Sequence, residues 1–267
     1  MAKKFDFYEW LVYKDFPLIH IVNFIHSAKS LWGWKYRKAV ADGRRKIADL
    51  RVNGGDVFIA LNGPSIAKMP LEKAVGIDMI FVNQGFKLPA YRVVKPKFHF
   101  FIDSKLINGV WDIHWIDEIL DIHPDMIFVM PASWSKLPIL QPYIDKGVNI
   151  LWFVGKHSHG VSGAAFQLCW KLGYKRIYFA GYEQTGLASY ILKKSSHFYG
   201  ADPDEGMHDV RYIMKDLSMN ARHLWAAIKS AEHAKKIGVE MINLTEGGIM
   251  DMFERRNFCD VFPMGAR

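Results

Sequence analysis

From Asp56 onward the chain alternates short, almost unbroken apolar runs with stretches whose apolar residues recur at helical spacing. The runs are DVFIAL (56–61), MIFVN (79–83), FHFFID (98–103), MIFVMP (126–131), NILWFV (149–154), RIYFAG (176–181) and EMINLT (240–245). Continuous apolar character, in place of strict alternation, predicts strands covered on both faces. Helical patterns of crossover length occupy 106–122, 162–172 and 212–237. Strands alternating with helices predict right-handed crossovers and an α/β, Rossmann-like, doubly wound and mainly parallel sheet. Ligands of such sheets bind beyond the carboxyl ends of the strands.

Before Val52 the pattern is different. The stretch SAKSLWGWKYRKAVADGRRKIADLRV interleaves aromatic and basic residues, which predicts a helical extension over 1–52 ahead of a Rossmann-like domain over 53–267. Two readings of its surface stay open: peripheral membrane contact through 28–52, or a solvated helical face packed on the main domain through its aromatics. A lid is expected at about 184–206, where Gly, Lys, Ser and Asp replace a regular apolar period between a strand end and the long helix.

Composition narrows the setting. The chain has 267 residues, half of them hydrophobic, enough for a substantial core. Lys and Arg number 35 against 27 Asp and Glu, a formal charge of +8, which favours anionic partners such as nucleotides, phosphorylated sugars or a membrane surface. Two cysteines, Cys169 and Cys259, give no disulfide framework. The start, MAKKFDFYEW, is unlike a secretory signal, and FPLIHIVNFIHSA is too short and too interrupted to span a bilayer. A cytoplasmic protein, able to sit at the inner face of the membrane, is expected. Nucleic acid is not expected as a partner; a homo-oligomer is.

The candidate chemistry lies at the strand ends. The first strand runs into Asn62-Gly63-Pro64-Ser65, where glycine permits positive φ or close approach, proline fixes its own φ, and Ser65 can cap the following helix. Such a helix start favours an anion. The second strand ends in Asn83-Gln84, the third in Asp103-Ser104, and the fifth enters GKHSHGVSG, which holds Ser162 and Gly163. Asparagine and serine both donate and accept, which suits a base and ribose. No Walker-type phosphate loop and no spaced-glycine dinucleotide fingerprint is present.

ALNGPSI after the first strand, FVNQGF at the second, VSGAAFQLCWKLGYKRIYFAG and SSHFYG together resemble the bacterial lipooligosaccharide sialyltransferases and related Rossmann-like proteins. The wider group includes archaeal hydroxymethylpterin diphosphokinases and flagellin-modifying proteins. The resemblance covers about half the chain. It implies that Asn62, Asn83, Ser162 and Gly163 contact the CMP part of a donor, with Gly63 and Ser65 beside them. Asp103 stands where that family uses another nucleotide-contacting asparagine, and beside a phosphate it calls for a cation or a lysine.

The resemblance further implies a metal-independent inverting transfer, with no cofactor beyond the CMP-sugar substrate. A lid histidine takes the acceptor proton and two tyrosines stabilise the departing phosphate. Tyr190 matches one tyrosine; the other position falls on Thr185, with Tyr182 and Tyr199 nearby. The family's base position falls on Ala201, so His197, four residues earlier, is the expected base and His208 the second choice. Packing of the lid is the competing role for His197. The partners implied are a nucleotide sugar and a glycan or glycolipid acceptor. Two further readings stay open: an ATP- and Mg-dependent diphosphokinase, with which Asp103 is consistent, and a nucleotide-binding accessory protein without catalysis.

Overall fold

The computed structural model describes residues 33–155, 160–202 and 209–263. In chain order the elements are α1 (Trp34–Asp49), β1 (Asp56–Ala60), β2 (Asp78–Val82), α2 (Tyr91–Val94), β3 (Phe98–Phe100), α3 (Trp115–Ile122), β4 (Ile127–Pro131), α4 (Gln141–Asp145), β5 (Ile150–Phe153), α5 (Gly160–Leu172), β6 (Arg176–Ala180), α6 (Gly186–Leu192), α7 (Val210–Lys236), β7 (Glu240–Asn243), β8 (Glu254–Arg255) and α8 (Phe258–Val261). Seven of these strands fall on the seven apolar runs. The two-residue β8 carries no such run and was not expected.

All eight strands form one parallel sheet in the order β5-β4-β3-β2-β1-β6-β7-β8. Strands β1 to β7 are mostly apolar because each face carries its own core. Phe58, Phe81, Phe101 and Phe128 pack with Tyr91 of α2, Ile116 and Ile119 of α3 and Phe258 of α8. On the opposite face Val57, Ile59, Ile80 and Phe179 pack with Ala164 and Phe166 of α5 and with Ala227 and Ala234 of α7. The sheet is therefore doubly wound, of Rossmann type.

Helix α1 lies in the stretch expected as an extension; its Ala39 is buried, and its Lys46 Nζ donates to Asn149 Oδ1 at 2.7 Å and to the Ile150 carbonyl at 2.8 Å. The helix thus packs beside β5, while residues 28–32 of the expected membrane stretch lie outside the described residues. The helix expected over 106–122 is shorter than its apolar pattern. Gly109 takes φ +76° and Asp112 Oδ1 accepts from the His114 amide at 2.9 Å, so the chain turns before α3 begins. Trp111 then stands before the helix and not one turn back within it, although its ring still reaches Trp115 at 5.6 Å.

Strand order places the functional edge. From β1 the chain builds outward to β5, then returns to lay β6 on the other flank of β1. That reversal is the topological switch point at which open α/β sheets bind ligands. Ala60 is in register with Phe81 on one side and with Ala180 on the other. Two residues beyond each, Asn62, Asn83 and Tyr182 emerge level along the carboxyl edge.

Candidate functional site

These strand ends wall a cavity of about 370 Å³. Asn62, Gly63, Asn83, Asp103, Ser162, Tyr190 and His197, all singled out in the sequence, line it together. Ser65 and Gly163 are not among its lining residues. His208 lies outside the described residues, as does Lys156 to His159 of the loop before α5.

The turn after β1 works differently from the expectation. Pro64–Lys68 is a short 3-10 helix capped by Gly63 with no side-chain bond, and the Ser65 hydroxyl is buried without a partner. Ser65 does not cap. Its amide, expected to face an anion, instead donates to Glu183 Oε1 at 2.7 Å. Because β6 neighbours β1, the carboxylate that follows β6 reaches over the turn and takes the position an external anion would need. Gly63 has φ −67°, so it is not there for a left-handed backbone. It is there for space: a Cβ on Gly63 would lie 1.4 Å from Glu183 Oε2 and 2.7 Å from the Gly181 carbonyl. Gly63→Ala is expected to displace the carboxylate and cost about 1 to 3 kcal/mol of stability, read as a lower urea midpoint at unchanged slope.

Three polar atoms along this edge are buried and unpaired: Asn62 Oδ1, Asn83 Oδ1 and Glu183 Oε2. Buried polar groups are normally satisfied, so their clustering at the switch point marks a place built for something other than stability. Backbone strain collects at the same spot. Asn83 (φ 47°) and Gln184 (φ 55°) are left-handed, each at a cost of about 1 to 3 kcal/mol. Each is pinned from a distance: the Asn83 carbonyl accepts from His99 Nε2 at 2.8 Å, and Gln184 Nε2 donates to Asn220 Oδ1 of α7 at 2.6 Å. Tyr182 donates its amide to Thr245 Oγ1 at 3.1 Å. Burial pushes its phenol up to about 12, opposed by a hydrogen bond from Ser162.

Opposite the switch loop, Asp202 gathers three donors. Gln84 Nε2 at 2.6 Å and Trp111 Nε1 at 2.9 Å reach Oδ1, and Lys105 Nζ reaches Oδ2 at 2.8 Å. Lys105 lines the cavity with Asp103, and its amide donates to Asp103 Oδ1 at 3.0 Å. The cation that an aspartate at position 103 calls for is therefore at hand. Asp216 also lines the cavity and accepts from Asn220 Nδ2 at 2.9 Å. Among the described residues no three His, Cys, Asp or Glu side chains are arranged to hold a metal ion.

His197 is half-buried at the cavity wall. Its ring stacks on Tyr199 with centroids 5.0 Å apart and planes 12° apart, and the next residue's amide, Phe198, donates to the Asn62 carbonyl at 3.0 Å. The stretch expected as a lid is thereby tied to the turn after β1. Burial holds the His197 imidazole below its ordinary value; Asp202, a hydrogen bond to the Asn62 backbone and Asp216 act the other way, and Lys105 acts with burial. The balance favours the neutral ring. Tyr182, Thr185 and Tyr199 share the cavity with Tyr190.

Six polar lining residues, Glu183, Asp202, Tyr212, Asp216, Asn220 and His223, were not singled out in the sequence. Glu183 and Asp202 carry no motif, and His223 reaches the cavity from α7 beside Gly160. Tyr212, Asp216, Asn220 and His223 recur at helical spacing, so one polar stripe of α7 walls the cavity. That spacing was visible, and only the side of the helix was not.

No family model and no curated protein sequence matches the chain. Two solved structures are similar to it. One is the sialyltransferase CstII from Campylobacter jejuni in complex with the substrate analogue cytidine-5'-monophosphate, at 15% identity and a TM-score of 0.46, covering 76% of this chain and 85% of that one. The other is the MAf glycosyltransferase from Magnetospirillum magneticum AMB-1, at 9% identity and a TM-score of 0.42, covering 91% of this chain and 42% of that one.

Proposed function

We propose that the switch-point cavity binds a CMP-activated sugar, a sialic or related acid, and that the protein transfers the sugar to a glycan acceptor with inversion. The observation that carries the reading is a half-buried imidazole, His197, in one cavity with Asn62 and Asn83 of the strand ends and Ser162 of α5. In this reading His197 takes the proton of the acceptor hydroxyl as its oxygen attacks the anomeric carbon. The bond from that carbon to the phosphate oxygen breaks, and the electron pair leaves with CMP. Tyr190 donates to the departing phosphate, which needs no metal for that contact. The carboxylate of Glu183 at the turn after β1 directs the phosphate away from that turn, toward Lys105 and the start of α5.

A thermal-shift panel of CMP, CDP, UMP and ATP, each with and without Mg²⁺, tests it. CMP is expected to raise the melting temperature equally with and without the metal. Asn62→Ala is expected to weaken CMP binding by about 1 to 3 kcal/mol, because a buried polar partner is left unmet. Stabilisation by ATP alone, dependent on Mg²⁺, would replace this reading with the diphosphokinase. Binding of CMP without any turnover would replace it with the accessory protein.

A further inference from the structure

Helix α6 is amphipathic in an unusual sense. Its inward side chains, Ser189 and Tyr190, are buried and line the cavity. Its outward side chains are apolar: Leu187 is 55%, Ile191 69% and Leu192 63% exposed, at i, i+4 and i+5. Helix α7, packed against it, repeats the arrangement. Tyr212, Asp216 and His223 face the cavity, while Val210, Met214 and Trp225 are 70%, 49% and 58% exposed. Large apolar side chains left exposed on two neighbouring helices mark an interaction surface.

The charges around it choose the occupant. Over 186–225 the exposed charged residues among those described are Lys193, Lys194, Arg211 and Lys215 against Asp209, while Asp204 and Glu205 of the same window lie outside the described residues. Lys193 and Lys194 directly follow the apolar face of α6, and Arg211 and Lys215 flank Val210 and Met214. A second copy of this chain would set these cations against one another. Trp225, with Lys229 Nζ 5.1 Å from its ring centroid, is the kind of side chain that settles at a lipid-water boundary. We infer that the outer faces of α6 and α7 dock on an anionic bilayer, the apolar side chains entering the headgroup region and the lysines and arginine meeting lipid phosphates.

This goes beyond the proposed reaction and does not depend on what the cavity binds. Cosedimentation of the full chain with vesicles of phosphatidylcholine, and of phosphatidylcholine mixed with phosphatidylglycerol, tests it at low and high salt. Binding to the mixed vesicles only, weakened by salt, is expected. The double variants Ile191→Ser with Leu192→Ser, and Lys193→Glu with Lys194→Glu, should each weaken it by about tenfold or more while keeping the wild-type melting temperature. No vesicle binding, or binding that ignores both variants, overturns the inference. So does a dimer in light scattering that the Ile191→Ser, Leu192→Ser variant dissolves. The CMP-induced thermal shift, followed in the same variants, reports separately on the cavity, so failure of one reading is distinguishable from failure of the other.

Discussion

His197→Ala is expected to lower the rate of sugar transfer by about 10²- to 10⁴-fold, the usual contribution of a positioned base, while CMP affinity stays at the wild-type level. The argument begins with protonation state. A base must be unprotonated at working pH, and burial, the largest influence on His197, favours the neutral ring. Asp202 and Asp216 pull the other way, yet Asp202 already spends its charge on Lys105 at 2.8 Å. Stacking on Tyr199 fixes the plane of the ring, so little orientation remains to be found when substrate arrives.

The same shift gives the pH profile a sign. Turnover should fall on the acid side as the ring gains its proton, and because its proton affinity is reduced, that fall should come below pH 6.5, the ordinary value. Turnover against pH, with CMP binding measured by calorimetry on the same samples, checks both statements. Full activity in the alanine variant would hand the role to His208. An acid limb well above 6.5 would mean that Asp202 and Asp216 outweigh burial.

The sheet was legible because its signal is local. A strand buried on both faces must be apolar at successive positions, and DVFIAL or RIYFAG can hardly be read otherwise. β8 was not legible because two residues, Glu254 and Arg255, pair only by lying beside β7. In the site, Asn62 and Asn83 could be found because strand ends are predictable once strands are, and Ser162 because it opens the helix after the loop that leaves β5. Glu183 could have been found by asking which charge follows the strand paired to β1, but its bond to the Ser65 amide spans 118 residues. Asp202 was beyond reach, since its donors Gln84, Lys105 and Trp111 are 118, 97 and 91 residues away and each looks ordinary in its own segment. Helix α3 misled for a related reason: its apolar period continues upstream through Trp111, and the turn at Gly109 outweighs it.

Acid should destabilise the fold through His99, a residue whose neighbours in FHFFID hide it in a strand. The Asn83 carbonyl can only accept, so the His99 proton sits on Nε2, 2.8 Å away. Nδ1 is then the acceptor for the Tyr91 hydroxyl at 3.0 Å. Both ring nitrogens are satisfied in the neutral form, and the ring lies among Phe86, Tyr91, Phe101 and Phe128 with no exposed surface. Burial drives its pKa down to about 3, with the Asn83 bond opposing and the nearby His123 assisting. In the unfolded chain the same ring takes up a proton near pH 6.5, so below that point the unfolded state binds more protons than the folded one. Stability is therefore full above pH 6.5 and falls as pH drops through 3, by up to about 1.4 kcal/mol per pH unit and roughly 5 kcal/mol in all. His99→Gln supplies a donor and an acceptor without a titrating group. Urea unfolding at a series of pH values from neutral to acid should show a shallower decline in that variant than in the wild type. Equal slopes would assign the acid sensitivity to other groups. Since His99 also holds the carbonyl of left-handed Asn83, the variant should loosen the cavity edge as well, and a weaker CMP-induced thermal shift at neutral pH is the expected companion result.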